Sequence, residues 1–328
     1  MDLWYQFIAA VLLGAIALWL PGVLLLRAVK VDRITALSCA PVVSAVALCV
    51  LGMVYAKAEI YTTGALLLLP LLLACALLYV LGCFIAKTEV MEASATRNDL
   101  LALLLYVVVG IALALMFLYG QYETPADCMT SYDSIHHYGF VRMFIDSGAW
   151  TPFGGSSYPP SLSSIVPFEG WSTFYPNIWH LVAALMVSLL GVPVTLAANA
   201  TNFAFLARVL PVSMFGLLRF LFRDNALAVL CGAFATFAFV TFPWQYLSWG
   251  PLFPNLASFA LMPTVILAFL SVFEAGAAKK QRIVAAVLFL VGMVSLVLSQ
   301  PNAVFSAGVM LAPYLVYLAS RIPDALKV

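Results

Sequence analysis

Charged residues are scarce in this chain. Lysine, arginine, aspartate and glutamate make up 9% of its 328 residues, whereas hydrophobic residues make up 65%. An ordinary soluble domain has about 25% charged residues, so this composition excludes that class. Apolar runs of roughly 20 residues recur along the chain, and each is long enough to cross a bilayer as a helix. The net charge of +1 argues against nucleic acid as a partner.

Common catalytic motifs and paired cysteines are also missing. Five of the six cysteines fall inside apolar runs, where they serve as small hydrophobic residues, and no CxxC pair occurs. The sequence has no Walker-type loop, HExxH or GxSxG, which argues against a soluble nucleotide as an energy source. Ionisable residues are almost absent from the middle of the apolar runs, with Arg208 as the main exception. Because no basic residue precedes the first run, we interpret it as a retained helix rather than a secretory signal.

The apolar runs predict an all-α, polytopic membrane bundle of about 9–10 transmembrane helices. A polar stretch rich in proline and aromatic residues, 120–177, follows the fourth helix, and we expect it to form short helices on the membrane surface. We divide the chain into a three-helix extension, 1–98, and a core, 99–328. The predicted helices are 3–28, 34–56, 61–86, 99–119, 177–191, 193–222, 226–242, 253–274, 283–299 and 302–320.

The distribution of basic residues predicts the orientation, because cytoplasmic loops of membrane proteins carry an excess of lysine and arginine. A basic cluster at 27–33 follows the first helix, which places the N-terminus outside a plasma membrane. The stretch 120–177 is then an external loop. Arg219 and Arg223 indicate a later cytoplasmic turn, which requires an odd number of crossings in 177–222. A Gly-Val-Pro inside that range suggests two segments instead, so the number of crossings stays open.

Histidine is equally scarce, and two of the three copies stand beside an acid in SYDSIHHYGF, 131–140. On a helix, Asp133, His136 and His137 are neighbours at i, i+3 and i+4. Asp127 lies six residues upstream, close enough to join them. A carboxylate here, Asp133 or Asp127, can act as a general base on a hydroxyl, and His136 or His137 can bind a leaving phosphate or orient that base. Alternatively, Asp127, Asp133 and His136 can hold a divalent metal, Mg²⁺ or Mn²⁺, or all can be ordinary polar residues of a wet loop.

Further candidate residues surround this stretch. His180 lies one turn into the helix that follows the loop, where it can face the loop or simply sit at the interface. Pro-Asn pairs place Asn255 and Asn302 at helix starts, whose free N–H groups can bind a phosphate. Proline and asparagine are also common at helix starts without any such role. The substrate-binding candidates are His180, Tyr158, Arg142, Asn255, Asn302 and Arg208.

Six short motifs occur in order: YDSIHHYGFVRMFIDSG (132–148), YPP (158–160), YPNIWH (175–180), GVPV (191–194), WGPLFPN (249–255) and QPNAVF (300–305). This order resembles the GT-C glycosyltransferases, and more closely a set of actinobacterial multi-pass membrane proteins of unknown function related to them. The resemblance implies a polyprenyl-phosphate-sugar donor, a glycan or lipid-linked acceptor, and transfer on the extracytoplasmic face. It also implies an acid in the first external loop that acts as base or binds metal. Asp133 matches that position, with Asp127 as its rival. Related chains often carry His where this one has Gln300, which puts a functional role of that position in doubt.

Two other functions remain open at this point. A membrane transporter or lipid flippase would need a hydrophilic path near the middle of the bilayer. A non-catalytic partner in cell-envelope assembly would keep the fold without the chemistry. Convergence of the acids and histidines on one pocket that opens toward lipid would favour the enzyme.

Overall fold

A computed structural model describes residues 2–85, 95–128, 133–153 and 174–321, and in these ranges the chain forms helices and turns without a β-strand. The all-α prediction is therefore confirmed for the described residues. One π-helical turn, Phe205–Val209, joins α7 to α8, and a kinked segment, Val240–Gln245, in which Phe242 has non-helical backbone angles, precedes α10. The α-helices are α1 (Leu3–Ala28), α2 (Arg33–Lys57), α3 (Gly64–Ile85), α4 (Arg97–Gln121), α5 (Ser134–Ser147), α6 (Ile178–Leu190), α7 (Val194–Ala204), α8 (Leu210–Leu221), α9 (Ala226–Ala235), α10 (Tyr246–Ser248), α11 (Phe253–Val272), α12 (Lys279–Ser299) and α13 (Asn302–Ser320).

Nine helical segments of the described chain are long and apolar enough to cross a membrane. This finding supports the predicted multi-pass bundle. The Gly-Val-Pro does separate two segments, but they are unequal. Helix α6 has 13 residues and is about 20 Å long, which is shorter than the bilayer's hydrocarbon core of about 30 Å. The segment Val194–Leu221, which joins α7, a π-helical turn and α8, has 28 residues and is long enough to span.

Side-chain caps fix where several helices begin. The first N–H groups of a helix lack intrahelical partners and need an external acceptor. Asp32 Oδ1 accepts hydrogen bonds from the N–H groups of Ile34 and Thr35, both at 3.0 Å, at the start of α2. Thr96 and Asp99 form a reciprocal capping box at the start of α4. These caps place polar residues at the ends of helices that are otherwise apolar.

The outer faces of the bundle are apolar. On α3, Leu69, Leu73 and Leu77 recur at every fourth residue, and their side chains are 63%, 63% and 57% exposed. A contiguous exposed row of leucines is unfavourable in water, so this face fits contact with lipid tails. The structure thus agrees with a lipid bilayer as the environment of the chain.

Close packing joins the first helices to the rest. At Gly22 of α1, an added Cβ would overlap the backbone carbonyl oxygen of Ala40 in α2. Helix α1 also packs on α7, and α2 on α12. The predicted boundary between an extension, 1–98, and a core, 99–328, stays a prediction.

Two polar ends lie on opposite sides of the bundle. At the first, Arg219 holds Asp99 through two contacts of 2.6 and 3.1 Å, and Arg223 holds Glu274 at 2.7 Å. We name this the arginine end. The 20 residues of α11 run about 30 Å from this end to the other, where α5, the start of α6 and the start of α11 meet. We name that second side the histidine end.

Candidate functional site

Helix α5 lies at the histidine end with one face buried. Its buried residues include His137, Phe140 and Phe144, whereas Ile135 on the other face is 76% exposed. The helix ends before Gly148, whose φ of 66° lies in the left-handed region that glycine adopts freely. The Gly148 carbonyl accepts a hydrogen bond from the Thr62 N–H at 2.8 Å. The turn between α2 and α3 therefore fixes where α5 ends.

His137 and His180 form a buried pair across α5 and α6. Their atoms Nδ1 of His137 and Nε2 of His180 are 3.0 Å apart, and Nε2 of His137 lies 3.2 Å from the carbonyl oxygen of Pro251. Because a carbonyl can only accept, His137 carries its proton on Nε2 and accepts at Nδ1. His180 must then donate from Nε2, which leaves its Nδ1 as a bare acceptor. This Nδ1 has no hydrogen-bond partner in the described chain, although the Pro176 carbonyl is near enough to raise the pKa of the ring against the larger effect of burial.

Burial keeps both imidazoles neutral. It lowers the pKa of His137 to about 3 and holds the pKa of His180 well below its usual range. Aromatic rings enclose the pair. Trp179 stacks on Phe253 with centroids 4.9 Å apart, and Phe140 stacks on Tyr175 at 4.3 Å. The two histidines and these four rings therefore form an uncharged, closely packed layer, which we name the aromatic floor. The histidines do not exchange protons with water.

Above this floor, Asp133 occupies the N-cap position of α5. Its side chain is exposed and makes no capping hydrogen bond, so the carboxylate does not accept from the first N–H groups of the helix. Asp133 lies within electrostatic reach of His136 and Tyr175. Burial lowers the pKa of His136, and the Asp133 charge opposes that shift. Burial raises the pKa of Tyr175 to about 12, and the same charge adds to the rise. His136 thus faces Asp133, whereas its neighbour His137 faces the core.

The Asp127 carboxylate is engaged in its own turn. It accepts hydrogen bonds from the N–H and the hydroxyl of Thr124, at 2.9 and 2.7 Å, and from the N–H of Glu123 at 2.8 Å. The bonds from Thr124 are the main reason that the pKa of Asp127 is lowered. Its backbone carbonyl also accepts a hydrogen bond from Asn199 at 2.8 Å. This arrangement gives Asp127 a structural task that Asp133 does not have.

The other predicted site residues are spread over the chain. Arg142 pairs with Asp146 at 3.0 Å on the exposed side of α5. Asn255 is buried in the first turn of α11, Asn302 is exposed in the first turn of α13, and Arg208 is partly shielded in a π-helical turn. Tyr158 lies outside the described residues. Within the described ranges, no group of three or more His, Cys, Asp or Glu side chains could hold a metal ion, so the proposed ligands Asp127, Asp133 and His136 stay a prediction.

Sequence reasoning missed a set of unpaired polar atoms around the start of α6. Asn177 accepts a hydrogen bond from Cys49 Sγ at 3.3 Å, and its N–H donates to the Leu298 carbonyl at 2.8 Å. Buried polar atoms without a hydrogen-bond partner are rare in folded proteins and call for an explanation. Here they come from three segments. The Pro-Asn pair that recurs at the starts of α6, α11 and α13 could have indicated two of these atoms, those of Asn177 and Asn255. The buried atoms are Nδ2 of Asn177, Nδ1 of His180, Oδ1 of Asn255 and Oγ of Ser299.

These features define a multi-pass helical membrane protein with a cluster of buried and exposed polar groups at the histidine end. The chain belongs to a family of unknown function, DUF6541, whose model matches residues 15–326. No curated protein and no solved structure matches it.

Proposed function

We propose that this protein is a membrane glycosyltransferase of the GT-C type. It transfers a sugar from a polyprenyl-phosphate donor to a cell-envelope acceptor, a glycan or a lipid-linked molecule, on the extracytoplasmic face of the plasma membrane. The observation that carries the proposal is the Asp133 carboxylate. It is exposed, unused by its helix and adjacent to His136 and Tyr175, over a rigid aromatic floor.

The proposed orientation follows from the single span between α6 and the arginine end. We take Val194–Leu221, which is long and apolar enough to span, as the one crossing of that region, and α6 as too short to cross. One crossing is the odd number that the basic residues require. Arg219 and Arg223 then lie in the cytoplasm, and the histidine end lies outside with the loop 120–177. The GT-C-like arrangement and the external position of this loop are parts of the proposal.

The chemistry assigned to the histidine end is a direct displacement. Asp133 takes the proton of the acceptor hydroxyl, and the hydroxyl oxygen forms a bond to the anomeric carbon of the sugar. The bond from that carbon to the phosphate oxygen breaks, and its electron pair leaves with the polyprenyl phosphate. The helix starts at Asn255 and Asn302 offer positive dipole ends to that phosphate. His137 and His180 do not react but hold α5 against α6, and so position Asp133.

Complementation of cells that lack the chromosomal gene tests the proposal, with the envelope glycan profile as the measurement. Loss of a general base costs about 10²–10⁴ in rate, so Asp133→Asn should abolish the product glycan. Asp127→Asn should retain most of it. Asp146→Asn is the matched control, because it removes an exposed carboxylate from the same helix. A full glycan profile with Asp133→Asn at equal protein abundance would end the proposal.

A lipid flippase is a second candidate, favoured by one observation. Arg208 lies on a π-helical turn within a membrane-spanning segment, and both features are enriched at functional positions in membranes. Purified protein in liposomes would then translocate a fluorescent polyprenyl phosphate. Arg208→Gln should stop that movement, and Asp133→Asn should not affect it. The opposite pattern, with glycan lost only in Asp133→Asn, favours the glycosyltransferase. A third outcome, in which neither substitution affects glycan or translocation, indicates a non-catalytic assembly partner.

A further inference from the structure

A second polar region lies at the arginine end, on the opposite side of the bundle from the histidines. A cavity of about 790 Å³ opens there between α2, α4, α8, α9, α11 and the start of α12. This volume falls within the range of about 300–1,000 Å³ that is common for small-molecule sites. Hydrogen-bond donors line one side of it, namely the guanidinium groups of Arg219 and Arg223 and the side-chain amides of Asn98 and Gln281.

Arg219 is paired with Asp99 through only one edge of its guanidinium group. Its Nε and Nη2 donate to the two carboxylate oxygens at 2.6 and 3.1 Å, which uses two of its five N–H groups. The end edge of the group, formed by Nη1 and the second N–H of Nη2, makes no hydrogen bond in the described chain. Nη1 does not belong to the buried unpaired atoms, so a ligand can reach it. An end edge of this kind can donate side by side to two oxygens of a phosphate.

Arg223 adds further donors to the same lining. Its Nη2 donates to Oε1 of Glu274 at 2.7 Å, whereas its Nε and Nη1 have no hydrogen-bond partner in the described chain. The guanidinium carbon lies 5.1 Å from the centroid of the Phe220 ring, which helps to hold this side chain at the cavity wall. Gln281 accepts from the Ala278 N–H through Oε1 at 2.7 Å, so its amide nitrogen is left to donate.

The carboxylates of the lining are balanced or enclosed. Asp99 and Glu274 each face an arginine, as described above. Asp32 uses Oδ1 to cap α2, and its Oδ2 is buried and does not open into the cavity. A ligand in the cavity therefore meets unused, positively charged donors, and these favour an anion.

The charge around the cavity also favours an anion. The lining itself has two arginines and three acids, but six further basic residues and one further acid lie within two positions of a lining residue along the chain. The end as a whole thus has eight basic and four acidic residues, and such an excess raises the local concentration of anions. The six basic residues are Lys30, Arg33, Arg97, Lys279, Lys280 and Arg282, and the further acid is Asp224.

The other side of the cavity is apolar and reaches the outer face of the bundle. Leu101 of α4 and Leu230 of α9 line it, and both are exposed, at 53% and 38%. Val229 and Leu267 continue the apolar lining inward. A ligand that matches both sides has an anionic group at the arginines and a hydrocarbon part toward the bilayer.

We propose that this cavity binds the phosphate of an anionic phospholipid. The phosphate oxygens accept from the end edge of Arg219 and from Nε or Nη1 of Arg223, while an acyl chain contacts Leu101 and Leu230. Basic pockets between membrane helices hold anionic headgroups by the same chemistry. The site lies at the end opposite to the proposed glycosyl transfer, so it does not depend on that function.

The test uses the full-length protein in nanodiscs that contain equal fractions of dioleoyl phosphatidylglycerol and dioleoyl phosphatidylcholine. The two lipids have the same acyl chains and a phosphate diester, but only phosphatidylglycerol carries a net negative charge. Native mass spectrometry measures which lipid the protein retains. We expect wild type to prefer phosphatidylglycerol by about tenfold, the ratio expected for one hydrogen bond to a charged group. Arg223→Gln changes a side chain that is 55% exposed, so it should fold and lose most of the preference.

Two further variants separate a specific site from a positive surface. Lys280→Gln removes the same charge from the same end but does not alter the lining, so it should keep the preference. Arg219→Lys keeps a positive charge beside Asp99 but lacks the end edge. It should lower the preference, and it decides the matter if Arg223→Gln does not fold. Equal losses in Lys280→Gln and Arg223→Gln, or an unchanged preference in both arginine variants, would overturn the proposal.

Inorganic phosphate added to phosphatidylcholine nanodiscs tests a soluble source of the same chemical group. We expect phosphate to raise the melting temperature of wild type less than phosphatidylglycerol does, because it lacks the hydrocarbon part. An Arg223-dependent rise with phosphate and no preference between the lipids would assign the site to a small anion and overturn the lipid assignment. No response of wild type to either probe would overturn the anion site itself.

Discussion

Acidification should destabilise this protein through its buried histidine pair. In the folded chain the pKa of His137 is about 3, whereas a histidine in an unfolded chain titrates near 6.5. Below pH 6.5 the unfolded state therefore binds a proton that the folded state does not bind. The free energy of unfolding then falls as pH falls. Each pH unit in this window costs about 1.4 kcal/mol, so at pH 5 His137 alone removes about 2 kcal/mol. His180, whose pKa is also lowered, acts in the same direction.

The substitution that isolates this effect is His137→Gln. A glutamine amide can donate to the Pro251 carbonyl and accept from His180, as the neutral imidazole does, but it does not titrate. Thermal unfolding of the purified protein in detergent, followed by tryptophan fluorescence at pH 7.5 and pH 5, measures the difference. The variant should lose part of the acid-induced drop in melting temperature. His136→Gln is the control at the adjacent, half-buried position and should change the drop less. An identical drop in wild type and His137→Gln would refute the assignment of a neutral buried pair.

Two further predictions concern packing and charge. Asp99→Asn leaves Arg219 with a weaker partner in a partly shielded site, and we expect a loss of about 1–3 kcal/mol, seen as a lower melting temperature. Gly22→Ala places a methyl group against the Ala40 carbonyl, which must push α1 and α2 apart at a cost of about 1–3 kcal/mol. Size-exclusion profiles and melting temperatures measure the second effect.

Each of these predictions has a matched control. Arg142→Gln breaks an exposed ion pair on α5, and exposed pairs contribute about 0–1 kcal/mol, so its melting temperature should stay near wild type. Gly308→Ala adds the same methyl group as Gly22→Ala, but nothing in the described chain lies within 4 Å of it. That change should be neutral or slightly stabilising. Equal effects of the two alanine substitutions would contradict the close approach of α1 and α2.

Local sequence determined most of the helices, because a bilayer dictates the length and apolar character of any segment that crosses it. The predicted helix at 3–28 matches Leu3–Ala28, and the predicted helix at 302–320 matches Asn302–Ser320. Glycine at position 148 suits the end of α5, because few other residues tolerate the backbone conformation at that point. The two segments of 177–222 were also separated correctly. Their unequal lengths follow from the sequence, but their roles do not.

Tertiary structure decided which polar groups meet. Sequence spacing placed Asp133 beside both His136 and His137, yet adjacent residues on a helix point about 100° apart, so only one of the two faces the same surroundings as Asp133. The partner of His137 is 43 residues away in the sequence, and only the packing of α5 on α6 brings the two rings to 3.0 Å. The cavity at the arginine end depends in the same way on six helices that are distant in the chain. Hydrophobic length is a local property that a sequence displays directly, whereas the pairing of buried polar groups depends on which helices touch.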